Sequence, residues 1–157
     1  MTKDLCDAFA RAAKKYRNPR LTIEKGELHK FEARSDTARL YYKSTATGTT
    51  FELIRKSDET FNLRALNSGR FLSCTGYGRM TANRVTAKSW ELFKIKQSRH
   101  KVKGRVQYDI SCTEWDKEPL CFDNGRYERG TKQYYHYVTQ CSKGAKIKGP
   151  YTLKWVD

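Results

Sequence analysis

Phe61-Asn62-Leu63-Arg64-Ala65 alternates apolar and polar side chains, Asn67-Ser68-Gly69 turns the chain, Phe71-Leu72-Ser73-Cys74 is a second short apolar run, and Trp90-Glu91-Leu92-Phe93-Lys94-Ile95 closes the stretch as an aromatic-led strand. The alternation has the two-residue period of a half-buried strand. The same order runs upstream from Leu28-His29-Lys30-Phe31 through Leu40-Tyr41-Tyr42 to Phe51-Glu52-Leu53-Ile54. A stretched copy runs downstream from Tyr108-Asp109-Ile110 through Leu120-Cys121-Phe122 to Tyr151-Thr152-Leu153-Lys154-Trp155-Val156. A unit repeated every roughly forty residues cannot bury its apolar face alone, but three can close on one another.

Gly76-Tyr77-Gly78, Asp123-Asn124-Gly125 and Ser142-Lys143-Gly144 are further turn clusters, and no second helical period or low-complexity tract interrupts them. Many short strands at even spacing predict a sandwich or barrel. Three four-stranded units around an axis make it an all-β fold, a β-trefoil, expected over residues 21–157. Leu53, Leu92 and Leu153 take equivalent places in the closing strands and are expected to meet around the pseudo-threefold axis.

The first twenty residues read differently. Leu5, Ala8, Phe9, Ala12, Ala13 and Tyr16 recur at three- and four-residue spacings, with Lys3, Arg11, Lys14 and Lys15 largely off that stripe. This is a short amphipathic helix that Pro19 stops, an extension over residues 1–20.

The 157 residues suit one domain with a sizeable core, supplied by 13% aromatics although mean hydropathy is −0.86. Lys and Arg number 32 against 17 Asp and Glu, a net charge of +15. That field draws polyanions: nucleic acid, an anionic membrane surface or a sulfated polysaccharide. No apolar run is long enough to span a bilayer, and the N-terminus lacks the apolar segment of a signal peptide, so the expectation is a cytosolic chain or one whose leader has been removed. The five cysteines show no C-x-x-C pair and no zinc spacing. Cys112 and Cys121 fall on successive strands where a bridge is geometrically possible; small buried thiols are the other reading.

Thr60 to Cys74, continued through Gly78-Arg79-Met80 to the Trp90-to-Ile95 strand, resembles the central repeat of the fibroblast growth factors. Pro119-Leu120-Cys121-Phe122-Asp123-Asn124-Gly125-Arg126-Tyr127-Glu128-Arg129-Gly130-Thr131-Lys132 is similar to the family's strand and glycine-spaced basic loop in the last repeat. The resemblance covers roughly Leu21 to Asp157. It departs at Trp90, where a cysteine is usual, at Glu128, where a lysine is common, and in Gln133 to Cys141, an insertion where the family binds heparan sulfate.

A sulfated glycan presents closely spaced anions, so its site needs cations on turns whose glycines let backbone amides approach the sulfates. Arg126, Arg129 and Lys132 meet that need, and Lys143, Lys146 and Lys148 meet it again before the last strand. With the insertion looped outward, the two clusters would flank one surface. The resemblance further implies an apolar receptor-binding patch near Thr22, Tyr108 and Trp155, although Tyr108 is equally suited to the barrel core.

His29, His100 and His136 lie in different repeats without a neighbouring nucleophile or carboxylate constellation, and no glycine-rich phosphate loop opens a helix. Neither catalysis, a cofactor nor a metal is expected. The resemblance implies a secreted signalling ligand that dimerises a receptor tyrosine kinase with heparan sulfate assisting, without membrane insertion or nucleic acid. The alternative is an intracellular trefoil scaffold for cytoskeleton, a channel tail or RNA, with Tyr134, Tyr135 and Tyr137 near Lys132 as a base-stacking surface.

Overall fold

The structure, a computed structural model, describes residues 2–26, 29–42, 48–75, 80–114, 119–123, 125–130, 132–141 and 147–156, with the backbone alone at 29, 140, 147 and 148. A helix, α1 (Lys3–Ala12), precedes three successive strand units. The first holds β1 (Arg20–Lys25), β2 (His29–Ala33), β3 (Ala38–Tyr42) and β4 (Phe51–Arg55). The second holds β5 (Thr60–Ala65), β6 (Phe71–Cys74), β7 (Met80–Arg84) and β8 (Phe93–Gln97). The third holds β9 (Tyr108–Cys112), β10 (Leu120–Phe122), β11 (Arg126–Glu128), β12 (Gln133–Gln140), β13 (Ile147–Lys148) and β14 (Thr152–Val156).

The outer strands of each unit close a barrel. Antiparallel ladders run β14 to β1, β1 to β4, β4 to β5, β5 to β8 and β8 to β9. A reciprocal pair of backbone bonds between Tyr108 and Tyr151 closes the ring. The register shows the threefold repeat residue by residue. Leu21 faces Phe51, Phe61 faces Phe93 and Tyr108 faces Tyr151 within the three units. Between units, Leu53 faces Leu63, Ile95 faces Ile110 and Leu153 faces Ile23, all six buried. Burying such branched side chains in equivalent layers is what the two-residue alternation provides.

This register corrects one expectation. Leu92 is not the counterpart of Leu53 and Leu153; Ile95 is, and Leu92 is half-buried. A single 3₁₀ turn over Ser89–Glu91 uses up residues expected to lead the strand, so β8 starts at Phe93. Buried Glu91 fixes that turn: its carboxylate accepts from Ser73 Oγ (2.6 Å) and the Lys88 amide (3.0 Å), and its carbonyl accepts from Asn62 Nδ2 (2.8 Å).

The inner strands cap one end. β2 pairs β3 and β6 pairs β7. In the third unit the corresponding partner of β10 is β12, which also pairs β3, and β3, β7 and β12 meet one another. The stretch from Gln133 onward is therefore a strand of the cap, with Val138 and Thr139 buried, rather than an outward loop. Its alternating aromatic and β-branched residues suit a strand with one face covered.

α1 starts at Thr2, whose Oγ1 accepts the Leu5 amide (3.3 Å), and lays Leu5, Ala8 and Ala12 into the buried set. Phe9 stacks on Phe61 at 6.2 Å between ring centroids, so the helix packs on the barrel. Disulfides join Cys74 to Cys112 and Cys121 to Cys141, and Cys6 is free and exposed. The Cys112–Cys121 bridge does not form: Cys112 pairs across from Phe93 and its sulfur meets Cys74 of the neighbouring unit, while Cys121 meets the end of β12.

Candidate functional site

Three of the cations singled out in the last repeat, Arg126, Arg129 and Lys132, sit on a two-stranded arm. β11 pairs with β12 through Arg126 with Tyr135, Tyr127 with Tyr134 and Glu128 with Gln133, and β11 has no second neighbour among the described residues. Strand alternation sends Arg126, Glu128, Tyr135 and Tyr137 to one face of this arm and Tyr127 and Tyr134 to the other.

The first face is a stack held by charge. The Arg39 guanidinium lies 4.5 Å from the Tyr135 centroid and 5.5 Å from that of Tyr137, and Arg126 lies 4.6 Å from Tyr137. Arg39 Nη1 donates to Glu128 Oε2 at 2.8 Å, and Arg34 Nη2 donates to the Tyr41 hydroxyl at 2.5 Å. Glu128 thus neutralises cations brought by the first unit. Burial is the largest influence and opposes the charge on Arg39, but the hydrogen bond to Tyr41 and the attraction of Tyr41, Tyr135 and Tyr137 together outweigh it, and its pKa is raised. Burial, followed by the pull of both arginines in the opposite sense, leaves the Tyr41 hydroxyl harder to ionise than usual. Arg126 also reaches Asp123 Oδ2 at 3.2 Å, so it is partly spent on the fold.

The second face and the tip are open. Tyr127 and Tyr134 are 50% and 58% exposed with ring centroids 5.0 Å apart, the most exposed aromatic pair among the described residues. Arg129 and Lys132 at the tip are exposed, and neither has an ion-pair partner among the described residues. Lys132 holds φ at +55°, the left-handed region where a side chain costs about 1–2 kcal/mol. Of the remaining candidates, Lys143 and Lys146 lie outside the described residues. Lys148 is placed in its backbone, on β13 against Cys121.

The residues for which the resemblance implies receptor contact lie elsewhere and are largely covered. Tyr108 is 1% exposed, and its hydroxyl donates to Asp4 Oδ2 at 2.8 Å. Thr22 is buried, and Trp155 is half-buried with Nε1 donating to the same Asp4 oxygen at 3.3 Å. Tyr108 is thus a core residue and presents no surface, because α1 lies over that part of the barrel. The sequence points to Tyr134 only together with Tyr135 and Tyr137, which lie on the opposite face, and not to Tyr127; the signal for the Tyr127–Tyr134 pair is their equal distance from the Arg129-to-Lys132 turn, visible only once both flanks are read as strands.

The chain matches no protein-family model and no curated protein. Solved structures do match. The designed threefold-symmetric protein ThreeFoil aligns over 86% of this chain and 97% of its own, at 12% identity and a TM-score of 0.59. SeviL bound to asialo-GM1 saccharide aligns over 87% and 96%, at 11% identity and a TM-score of 0.58. The chain folds as a β-trefoil. The Haemophilus ducreyi cytolethal distending toxin shares that fold over 86% of this chain and 82% of its own, at 11% identity and a TM-score of 0.60. At such identities the β-trefoil architecture is what the likeness conveys.

Proposed function

We propose that this β-trefoil is an extracellular, non-enzymatic module that binds a sulfated glycan of the heparan sulfate kind through the tip of the β11–β12 arm. The observation that carries the reading is the open tip itself, where Arg129 and Lys132 stand exposed beside the Tyr127–Tyr134 pair on a chain of net charge +15. Cations take the sulfates, and a tyrosine face offers the negative π-surface against which the C–H bonds of a pyranose ring pack. Two disulfides support an oxidising compartment over the intracellular scaffold alternative. SeviL, of the same fold, was solved with a saccharide bound.

The signalling half of the proposal follows the resemblance to fibroblast growth factors: a receptor tyrosine kinase ectodomain is the partner, and the glycan raises the local concentration of both. With Tyr108 buried, the contact moves to the rim where α1 meets Trp155 and Val156, the latter 37% exposed. Binding of an ectodomain panel measured with and without heparin tests this half, and Trp155→Ala is expected to weaken it while leaving heparin elution in place.

For the glycan half, Arg129→Ala with Lys132→Gly should elute from heparin at clearly lower salt, whereas Lys3→Ala with Lys14→Ala, an equal loss of charge, should shift elution much less. Glycine relieves the left-handed backbone at 132, so a weaker affinity there is not a folding defect. Equal shifts in the two variants would reduce the interaction to net charge and defeat the reading.

A further inference from the structure

The connection between β8 and β9 repeats the design of the β11–β12 tip. Arg99-His100-Lys101-Val102-Lys103-Gly104-Arg105 carries four Lys or Arg residues and no carboxylate, and each side chain is exposed. The connection is also stiff. At its base the Ser98 amide donates to the Gln107 carbonyl at 2.8 Å, and at its tip Val102 and Arg105 exchange backbone bonds of 3.2 and 2.9 Å. Between them Lys103 and Gly104 both hold positive φ, at 51° and 76°. Two consecutive left-handed residues define the two-residue turn that joins twisted strands tightly, where asparagine and glycine are preferred. Here the first position is a lysine.

Among the described residues, the non-glycine residues with positive φ are Lys103 and Lys132. Each stands at the tip of a basic arm. In both places the turn carries a lysine where asparagine or glycine would sit more easily, so each arm ends in a cation. The β8–β9 arm also borders a groove of about 610 Å³ between β8, β9, the start of β10 and residues 149–151, lined by Lys96, Arg99, His100 and Ser111 with one carboxylate, Asp109. A turn, a row of cations and a concave floor are what an extended polyanion requires.

We infer that the β8–β9 arm and its groove form a second site for a sulfated glycan, so that one chain engages two glycan segments at once. The inference rests on the glycan-binding reading for its ligand class. The two sites share no residue: one arm joins the second and third units, whereas the other docks against β3 of the first unit. Two sites on one rigid body cross-link long glycan chains and raise avidity without new contacts at either site.

Calorimetric titration with a heparin-derived hexasaccharide counts the sites. The unmodified chain is expected to bind two per molecule. Arg99→Ala, Lys101→Ala, Lys103→Gly and Arg105→Ala together should leave one, and Arg129→Ala with Lys132→Gly should leave the other, with far-ultraviolet circular dichroism and melting temperature reporting that each variant is folded. One hexasaccharide per chain, lost with Arg129 and Lys132 and untouched by the β8–β9 substitutions, overturns the second site and leaves the proposed function intact. One per chain, lost only with the β8–β9 substitutions, overturns the β11–β12 reading and the double engagement with it. One per chain, weakened by both variants, means a single continuous site and also overturns the inference.

Discussion

Tyr108 shows how one buried hydroxyl sets a pH limit. Burial pushes its pKa up to about 12, with the hydrogen bond to Asp4 adding to the shift and the contact with Thr2 opposing it. An unfolded tyrosine ionises near 10. Between those values the native chain keeps a proton that the unfolded chain releases, so this contribution to stability is complete below about pH 10 and is lost as pH rises toward about 12. Burial moves Tyr151 in the same direction. Urea unfolding at a series of alkaline pH values should therefore show stability falling across this window. Tyr108→Phe should make the fall shallower while costing about 1 kcal/mol near neutrality through the lost hydrogen bond. An unchanged slope would mean that Tyr108 ionises as an ordinary surface tyrosine. At this scale the sequence was legible wherever period alone decides: Leu53, Leu63, Ile110 and Leu153 are inward as alternation requires. It misled at Leu92, since a 3₁₀ turn has no two-residue signature and two of the Glu91 contacts that fix it come from Ser73 and Asn62, far upstream.

Among the elements, α1 was read from its stripe, and three of the six stripe residues, Leu5, Ala8 and Ala12, are buried. What the stripe could not tell was where the helix packs, because that depends on Asp4, a polar residue, reaching Tyr108 and Trp155. Leu5→Ala should cost about 2–5 kcal/mol by the cavity rule, whereas Cys6→Ala, one position away and exposed, should stay within about 0.5 kcal/mol. Equal effects on urea midpoints would show the helix detached from the barrel. β12 was legible as an aromatic stretch but not as a cap strand, since its pairing with β3 joins residues almost a hundred positions apart and leaves no local pattern. Cysteine spacing was silent for the same reason: Cys74 and Cys112 are separated by 38 residues and come from different units. Closing a loop of that length restricts the unfolded chain by about 4 kcal/mol, so Cys74→Ala with Cys112→Ala should lower the unfolding free energy by roughly that amount under oxidising conditions.

At the scale of the whole molecule, the net charge of +15 enters both stability and binding with opposite salt dependence. Like charges spread over a small barrel repel one another, and compaction concentrates that repulsion. The Debye length shrinks from about 30 Å at 0.01 M to about 8 Å at 0.15 M, so added sodium chloride should raise the melting temperature of the chain alone. Heparin bound as proposed would act in the same direction, since a ligand that prefers the folded chain stabilises it by RT ln(1 + [L]/Kd). That affinity, however, falls steeply with salt because neutralising the polyanion releases its condensed counterions. The melting temperature with saturating heparin should accordingly lie far above that of the free chain at low salt, and the two should converge as sodium chloride approaches about 1 M, where the Debye length is near 3 Å. Loss of Arg129 and Lys132, or of the β8–β9 cations, should bring the convergence to lower salt while slightly raising the melting temperature of the free chain, since each variant sheds repelling charge. A heparin increment independent of salt would show that apolar contact governs binding, and the cations of the two arms would then have no part in it.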